Sequence, residues 1–150
     1  MTRIREATEA DRDSLVAFNC AMALETEDKV LPRDTVAAGV ANLLQRPELG
    51  FYLVAEESGE VVASLMITGE WSDWRNGLFW WIQSVYVRPE YRRRGIYRQL
   101  YQEVERLAQE RGDVCGFRLY VERDNLRAQQ TYRALGMEET VYQMYEQAAS

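Results

Sequence analysis

Between Val85 and Arg98 the chain reads Val-Tyr-Val-Arg-Pro-Glu-Tyr-Arg-Arg-Arg-Gly-Ile-Tyr-Arg. A β-branched and aromatic stretch suited to a strand stops at Pro89, passes through a basic turn, and starts a helix directly after Gly95. The first turn of a helix carries backbone N–H groups with no intrahelical partner. Together with the positive end of the macrodipole they form an anion site. Gly95 lets a ligand approach the main chain closely, and Arg92, Arg93, Arg94 and Arg98 surround the turn with positive charge. A phosphate or pyrophosphate is the natural guest. Without a guest, the same segment is a solvated basic turn whose glycine only serves the bend. A phosphate-loop nucleotide hydrolase is set aside, because no Gly-Lys-Ser/Thr follows the glycine.

What the chain lacks narrows the chemistry further. It has no histidine, hence neither the commonest general base nor the commonest metal ligand, and Ser-His-Asp and Cys-His catalysis are excluded. Cys20 and Cys115 lie far apart without metal-ligand spacing and read as buried free thiols. Two thiols without a framework suit a reducing cytoplasm, the expected location. Lys+Arg is 18 against 24 Asp+Glu, a net charge of −6. That balance argues against general nucleic-acid binding and mildly favours a cationic substrate. Lys29 is the only lysine, so the basic groups are nearly all arginine. The longest apolar runs, such as residues 78–82, are too short to span a bilayer, and no charged-then-apolar leader opens the chain.

The elements that must hold this turn in place follow from periodicity. The 150 residues fit one domain with one core, spanning 1–150. Residues 4–8 read as a short strand, and Asp11 or Asp13 as the cap of a first helix with Leu15, Val16, Phe18, Ala21 and Met22 inward. The charged residues 25–29 end that periodicity, and a second helix runs over 34–45, with Asp34 as its N-cap. Residues 51–56 and 61–68 read as strands joined by the turn Glu57-Ser58-Gly59-Glu60. Residues 71–77 read as an exposed loop and 78–87 as a long strand. Ile96, Leu100, Val104 and Leu107 mark a helix over 96–111, closed by Gly112. A strand at 117–121, a helix at 125–135 ending at Gly136, and a last strand at 140–145 complete the chain. The order β-α-α-β-β-β-α-β-α-β reads as a mixed α/β (α+β) sandwich, with helices on a mostly antiparallel central sheet.

Arg92-x-x-Gly95 resembles the Arg/Gln-x-x-Gly-x-Gly/Ala acetyl-CoA signature of the GNAT superfamily of N-acetyltransferases, and the similarity runs over the whole chain. Ile4-Arg5-x-Ala7-Thr8-x-x-Asp11 is similar to the family's opening, and Val85-x-Val87-x-Pro89 to the end of its fourth strand. Asn125-x-x-Ala128-x-x-x-Tyr132 followed by Leu135-Gly136-Met137 resembles its last helix and exit turn. The resemblance implies acetyl-CoA as co-substrate, an amine as acceptor, and direct transfer in a ternary complex that needs no metal. Backbone N–H groups of Arg93, Arg94, Gly95, Ile96, Tyr97 and Arg98 would cradle the pyrophosphate. Main-chain groups of Val85 and Val87, flanking Tyr86, would pair with the pantetheine arm, with the N–H near Val85 polarising the thioester carbonyl. Asn125 would also bind the arm, and Tyr132 would protonate the leaving thiolate. Family members often dimerise, so a homodimer is compatible with the resemblance.

Two positions depart from the family pattern. Tyr97 stands where glycine or alanine is usual; it would have to point outward or stack on Tyr101, one turn on. Near Trp81, where some members place a catalytic glutamate on the fourth strand, the sequence Trp80-Trp81-Ile82-Gln83-Ser84 has no carboxylate. An ammonium acceptor must still lose a proton, and a positioned base contributes on the order of 10²–10⁴-fold. Glu25, in the acidic stretch Glu25-Thr26-Glu27-Asp28 beside which the family's acceptors enter, is the first candidate. Glu27, Asp28, Glu70, Glu122 and a water relay are the others, and an ordinary solvated acidic loop is the plainer alternative. Strand alternation sends Trp80 and Trp81 to opposite faces, so one is expected in the core and one at a surface; an aromatic wall for a cationic acceptor is the sharper alternative. Tyr86, Tyr91 and Tyr120 read as packing or rim residues. The missing carboxylate also admits a non-catalytic acyl-CoA-binding or regulatory domain of the same fold.

Overall fold

In the computed structural model, which describes all 150 residues, chain order and spatial order coincide in the sheet. Strands β1 (Thr2–Glu6), β2 (Gly50–Glu57), β3 (Glu60–Ser72), β4 (Gly77–Val87) and β5 (Val114–Arg118) lie side by side in the order β1-β2-β3-β4-β5. The first three pairings are antiparallel and β4–β5 is parallel. A parallel neighbour requires a crossover, and helix α3 (Ile96–Arg111) supplies it. Helices α1 (Arg12–Glu27) and α2 (Arg33–Gln45) separate β1 from β2, and α4 (Leu126–Ala134) follows β5. Two compact units result: Met1–Leu119 holds the sheet and the first three helices, and Tyr120–Ser150 holds α4. A mixed, mostly antiparallel sheet flanked by helices is the fold class expected from the sequence.

The sheet is buried on both faces, and alternation along β2 shows how. Tyr52 and Val54 pack with Leu15 and Val16 of α1 and Val40 and Leu43 of α2. Leu53 and Ala55 point the other way and are equally buried. Helix α3 lies against β1, β2, β3 and β5 and buries Ile96, Leu100, Tyr101, Val104 and Ala108. The β2–β3 turn has Ser58 at φ 51° and Gly59 at φ 81°, two successive left-handed residues as a type I′ hairpin requires.

The sequence signature Ile4-Arg5-x-Ala7-Thr8-x-x-Asp11 has a structural cause. Arg5 donates to both oxygens of Asp11, at 2.8 and 2.9 Å, and also pairs with Glu56 of β2. Asp11 accepts from the Thr8 N–H at 2.8 Å, closing a capping box at the 3₁₀ turn Glu9–Asp11 that leads into α1. One buried carboxylate thus ties β1, β2 and the start of α1 together. Asp11, one of the two expected positions, is the N-cap of α1, without a side-chain bond to that helix, and Thr8 is the N-cap of the 3₁₀ turn ahead of it.

Five expectations are corrected. Helix α1 does not stop before the acidic stretch: it runs to Glu27 and ends at Asp28, whose φ of 53° makes the left-handed stop, because Ala21, Ala23, Leu24 and Glu25 are good helix formers. Helix α2 is preceded by Pro32 without a side-chain cap, so Asp34 lies inside its first turn. Strand β3 extends to Ser72, leaving a short connection to β4. The expected last strand at 140–145 does not form; a strand exists only through a ladder partner, and residues 138–150 carry no regular element. Cys115, read as a buried thiol, is exposed on β5, whereas Cys20 is half-buried.

Candidate active site

The end of β4 is shaped by an irregularity. β3 and β4 pair regularly from Ser72↔Gly77 to Met66↔Gln83, and the next pair is Ser64↔Tyr86. Leu65 therefore opposes both Ser84 and Val85, and Ser84 takes φ 53°: a β-bulge. The extra residue places Gln83 and Tyr86 on one face of the sheet, the face covered by α1 and α2. β5 pairs only with Leu78, Phe79, Trp80 and Trp81, so β4 continues past its end. Beyond the bulge, Arg88 N donates to Val62 O at 2.9 Å. Because main-chain groups alternate in direction along a strand, those of Val87 point away from β3, to the side that β5 leaves open. An open edge of this kind pairs with an incoming extended chain.

The chain then turns through a 3₁₀ turn at Pro89–Tyr91 into the arginine cluster. Arg93 has φ 64° and Gly95, the N-cap of α3, has φ 76°. A Cβ added at Gly95 would meet no heavy atom within 4 Å, so the space over the turn is open. The first bond of the α3 ladder is Gln99 N to Gly95 O, 3.1 Å, and the amides of Ile96, Tyr97 and Arg98 precede it. Ile96 anchors this end with a side chain only 2% exposed. Tyr97 does not point outward: it is half-buried along α3, 6.3 Å from the Tyr101 ring, which packs 5.9 Å from Phe117. Arg94 lies over Tyr91, 5.1 Å from its centroid, and Arg93 and Arg98 are exposed.

Arg92 and Glu25 meet here, which neither sequence position suggests. Glu25 is on the last turn of α1. Its Oε2 takes an Arg92 guanidinium nitrogen at 2.7 Å and its Oε1 accepts from the Tyr86 hydroxyl at 3.2 Å. Arg92 Nε donates to Val87 O at 2.8 Å, and its guanidinium sits 5.4 Å from the Tyr86 ring centroid. Tyr86 in turn packs on Phe18 of α1, centroids 5.1 Å apart. Burial, with Glu25 adding, pushes the Tyr86 phenol up, so it is a hydrogen-bond donor at neutral pH. Tyr86 is therefore more than a rim residue, although nothing in its sequence context marks it.

A carboxylate also stands beside Trp81, from the neighbouring strand. Glu70 of β3 accepts from Trp81 Nε1 at 2.8 Å and from Arg118 at 3.2 Å. Thr68 and Gln83, bonded at 2.8 Å, continue the same face. Trp80 is buried on the opposite face and edge-on to Phe51 at 5.3 Å, the core-and-surface division expected. Trp71 and Trp74 are exposed near the β3–β4 connection. In the second unit, Asn125 caps α4, its side chain accepting from Ala128 N at 3.2 Å. Burial pushes the Tyr132 phenol up from its ordinary value, so it stays protonated through neutral pH. Glu122 is exposed.

Comparison with known proteins follows the same lines. The model of the acetyltransferase (GNAT) family matches residues 16–137. A crystal structure of a possible acetyltransferase from Clostridium difficile 630 is 45% identical, with a TM-score of 0.93 over 100% of this chain and 99% of that one. A predicted acetyltransferase from Clostridium acetobutylicum, solved with acetyl-CoA, superposes with a TM-score of 0.81 at 20% identity, covering 98% of this chain and 96% of that one. AAC(6')-Iy in complex with the bisubstrate analogue CoA-S-monomethyl-acetylneamine superposes with a TM-score of 0.79 at 18% identity, covering 100% and 99%. No protein of curated function matches the chain.

Proposed function

The chain belongs to the GNAT acetyltransferase family, and from that premise we propose that it moves an acetyl group from acetyl-CoA to a primary amine by direct transfer in a ternary complex. The observation that carries the reading is the open edge of β4 running straight into a left-handed, uncrowded turn at Gly95. An extended arm and a pyrophosphate need those two features in that order. Acetyl-CoA, when bound, supplies an activated acetyl thioester. The amides of Arg93 to Arg98 bind the phosphates, and main-chain groups of Val85 and Val87 align the arm. Tyr132, kept neutral by burial, hands its hydroxyl proton to the departing sulfur. Glu25 attracts the acceptor's ammonium and takes its proton once released from Arg92; Glu70 beside Trp81 is the next carboxylate on that face. The unit of function is one acetyltransferase domain over 1–150, as the family match across both compact units supports.

The test is CoA release from acetyl-CoA across a panel of small amines, amino acids, peptides and a lysine-containing protein. Turnover with at least one class is expected. Tight CoA binding with no turnover anywhere would favour the alternative, a non-catalytic acyl-CoA-binding domain.

A further inference from the structure

Arg92 is the first residue of the turn that faces the cofactor, yet its side chain is engaged elsewhere. Nε holds Val87 O, an NH₂ group holds Glu25, and the guanidinium plane lies over Tyr86. Two of these arrangements conflict with the function proposed above. The Val87 carbonyl lies on the open edge where a pantetheine amide would pair, and Glu25 cannot receive an acceptor's ammonium while a guanidinium fills that place. We propose that Arg92 is an exchangeable plug, an inference that rests on that reading. Without cofactor it occupies the cation site formed by the Glu25 carboxylate and the Tyr86 ring. When acetyl-CoA binds, Arg92 turns to the pyrophosphate and leaves that site to the amine. The cofactor must then bind first, and the acceptor's charged group is a cation held by a carboxylate and an aromatic face.

The electrostatics favour the exchange. The Arg92–Glu25 pair is solvent-accessible, with side chains 43% and 39% exposed, and such pairs are held weakly. A pyrophosphate offers more negative charge and charge-assisted bonds, beside amides already turned toward it. The cation site keeps its pull after Arg92 leaves. Glu25 lies at the carbonyl end of α1, where a negative charge is unfavourably placed and a cation is welcome. Lys29, the only lysine, is paired with Glu27 at 3.2 Å.

A double-mutant cycle on CoA binding by calorimetry tests this in the full-length protein. Glu25→Gln removes the competitor for Arg92, so CoA should bind roughly two- to fivefold more tightly, the range of one exposed ion pair. In an Arg92→Gln background the same change should have no effect, because nothing is left to release. Glu25→Ala repeats the test without a side-chain amide that could still hold Arg92. Unchanged or weakened CoA affinity in both Glu25 variants would overturn the exchange, as would a gain that persists with glutamine at position 92. If the wild type binds no CoA at all, the acetyl-CoA reading itself falls.

Discussion

At the scale of single residues, the proposed acid step is the most direct to test. Tyr132 sits on α4 with its phenol pushed up by burial, so the proton it would give away is present throughout the neutral range. Tyr132→Phe removes one hydroxyl and little volume. Turnover should fall by roughly 10–100-fold, the lower part of the general-acid range, with little change in acetyl-CoA affinity. Steady-state kinetics with the best acceptor, alongside CoA calorimetry, separate the two effects. Equal rates for both proteins would make Tyr132 a packing residue. Since the phenol titrates above its ordinary value of about 10, the wild-type rate should keep climbing from pH 7 to 9 as the amine deprotonates. The role proposed for Tyr132 comes from the family resemblance of Asn125-x-x-Ala128-x-x-x-Tyr132; the Glu25–Arg92–Tyr86 contact was not legible in the sequence. A long-range ion pair leaves no periodicity, and charge alone cannot say which of several arginines will reach which glutamate.

At the scale of elements, legibility tracks how local the determinants are. α3 was readable to its ends because Ile96, Leu100 and Val104 stand at helical spacing between two glycines, and the structure gives Ile96–Arg111. The end of α1 was not: an apolar stripe shows where a helix must pack, not how far polar helix formers such as Glu25 carry it. Residues 140–145 alternate like a strand, but alternation cannot supply the partner. The opening motif was recognisable while its physics was hidden, because the Arg5–Asp11 pair and the Thr8 cap bridge three elements. Asp11 is 5% exposed, and chiefly its bonds to Arg5 hold its carboxyl below the usual range. A carboxylate lowered on folding adds stability that is fully present above about pH 4 and fades as the pH drops through its folded value. Asp11→Asn should therefore cost about 1–3 kcal/mol at pH 7, with the gap to wild type closing towards pH 2. Urea melts at the two pH values check this; a gap equally wide at both would mean that the charge of Asp11 is not what stabilises the junction.

For the whole molecule, an anion must be held by a protein whose net charge is −6, so recognition depends on local geometry rather than on the overall field. Binding to the folded state alone stabilises by about 2.7 kcal/mol at a hundredfold excess over Kd, worth roughly 5–10 °C in Tm for a chain of this size. CoA should produce such a shift in a thermal melt. Gly95→Val, which puts a β-branched side chain into the open space above the turn and into a φ of 76°, should lower the ligand-free Tm and abolish most of the shift. A full shift in the variant would place the pyrophosphate elsewhere.

The coincidence of chain order and sheet order also bears on how the protein is made. A nascent chain leaving the ribosome can lay each of β2, β3 and β4 against a neighbour already synthesised, through short hairpins apart from the helical excursion after β1. Only β5 must wait, since its parallel docking requires α3 to be complete. The proposed cofactor turn lies on that crossover, with Arg92 and Gly95 directly ahead of α3. Until the crossover closes, the turn has no fixed helix end to offer an anion. If that turn is the cofactor site, an unfinished chain has no formed site to offer, and binding competence arrives only when the sheet is complete.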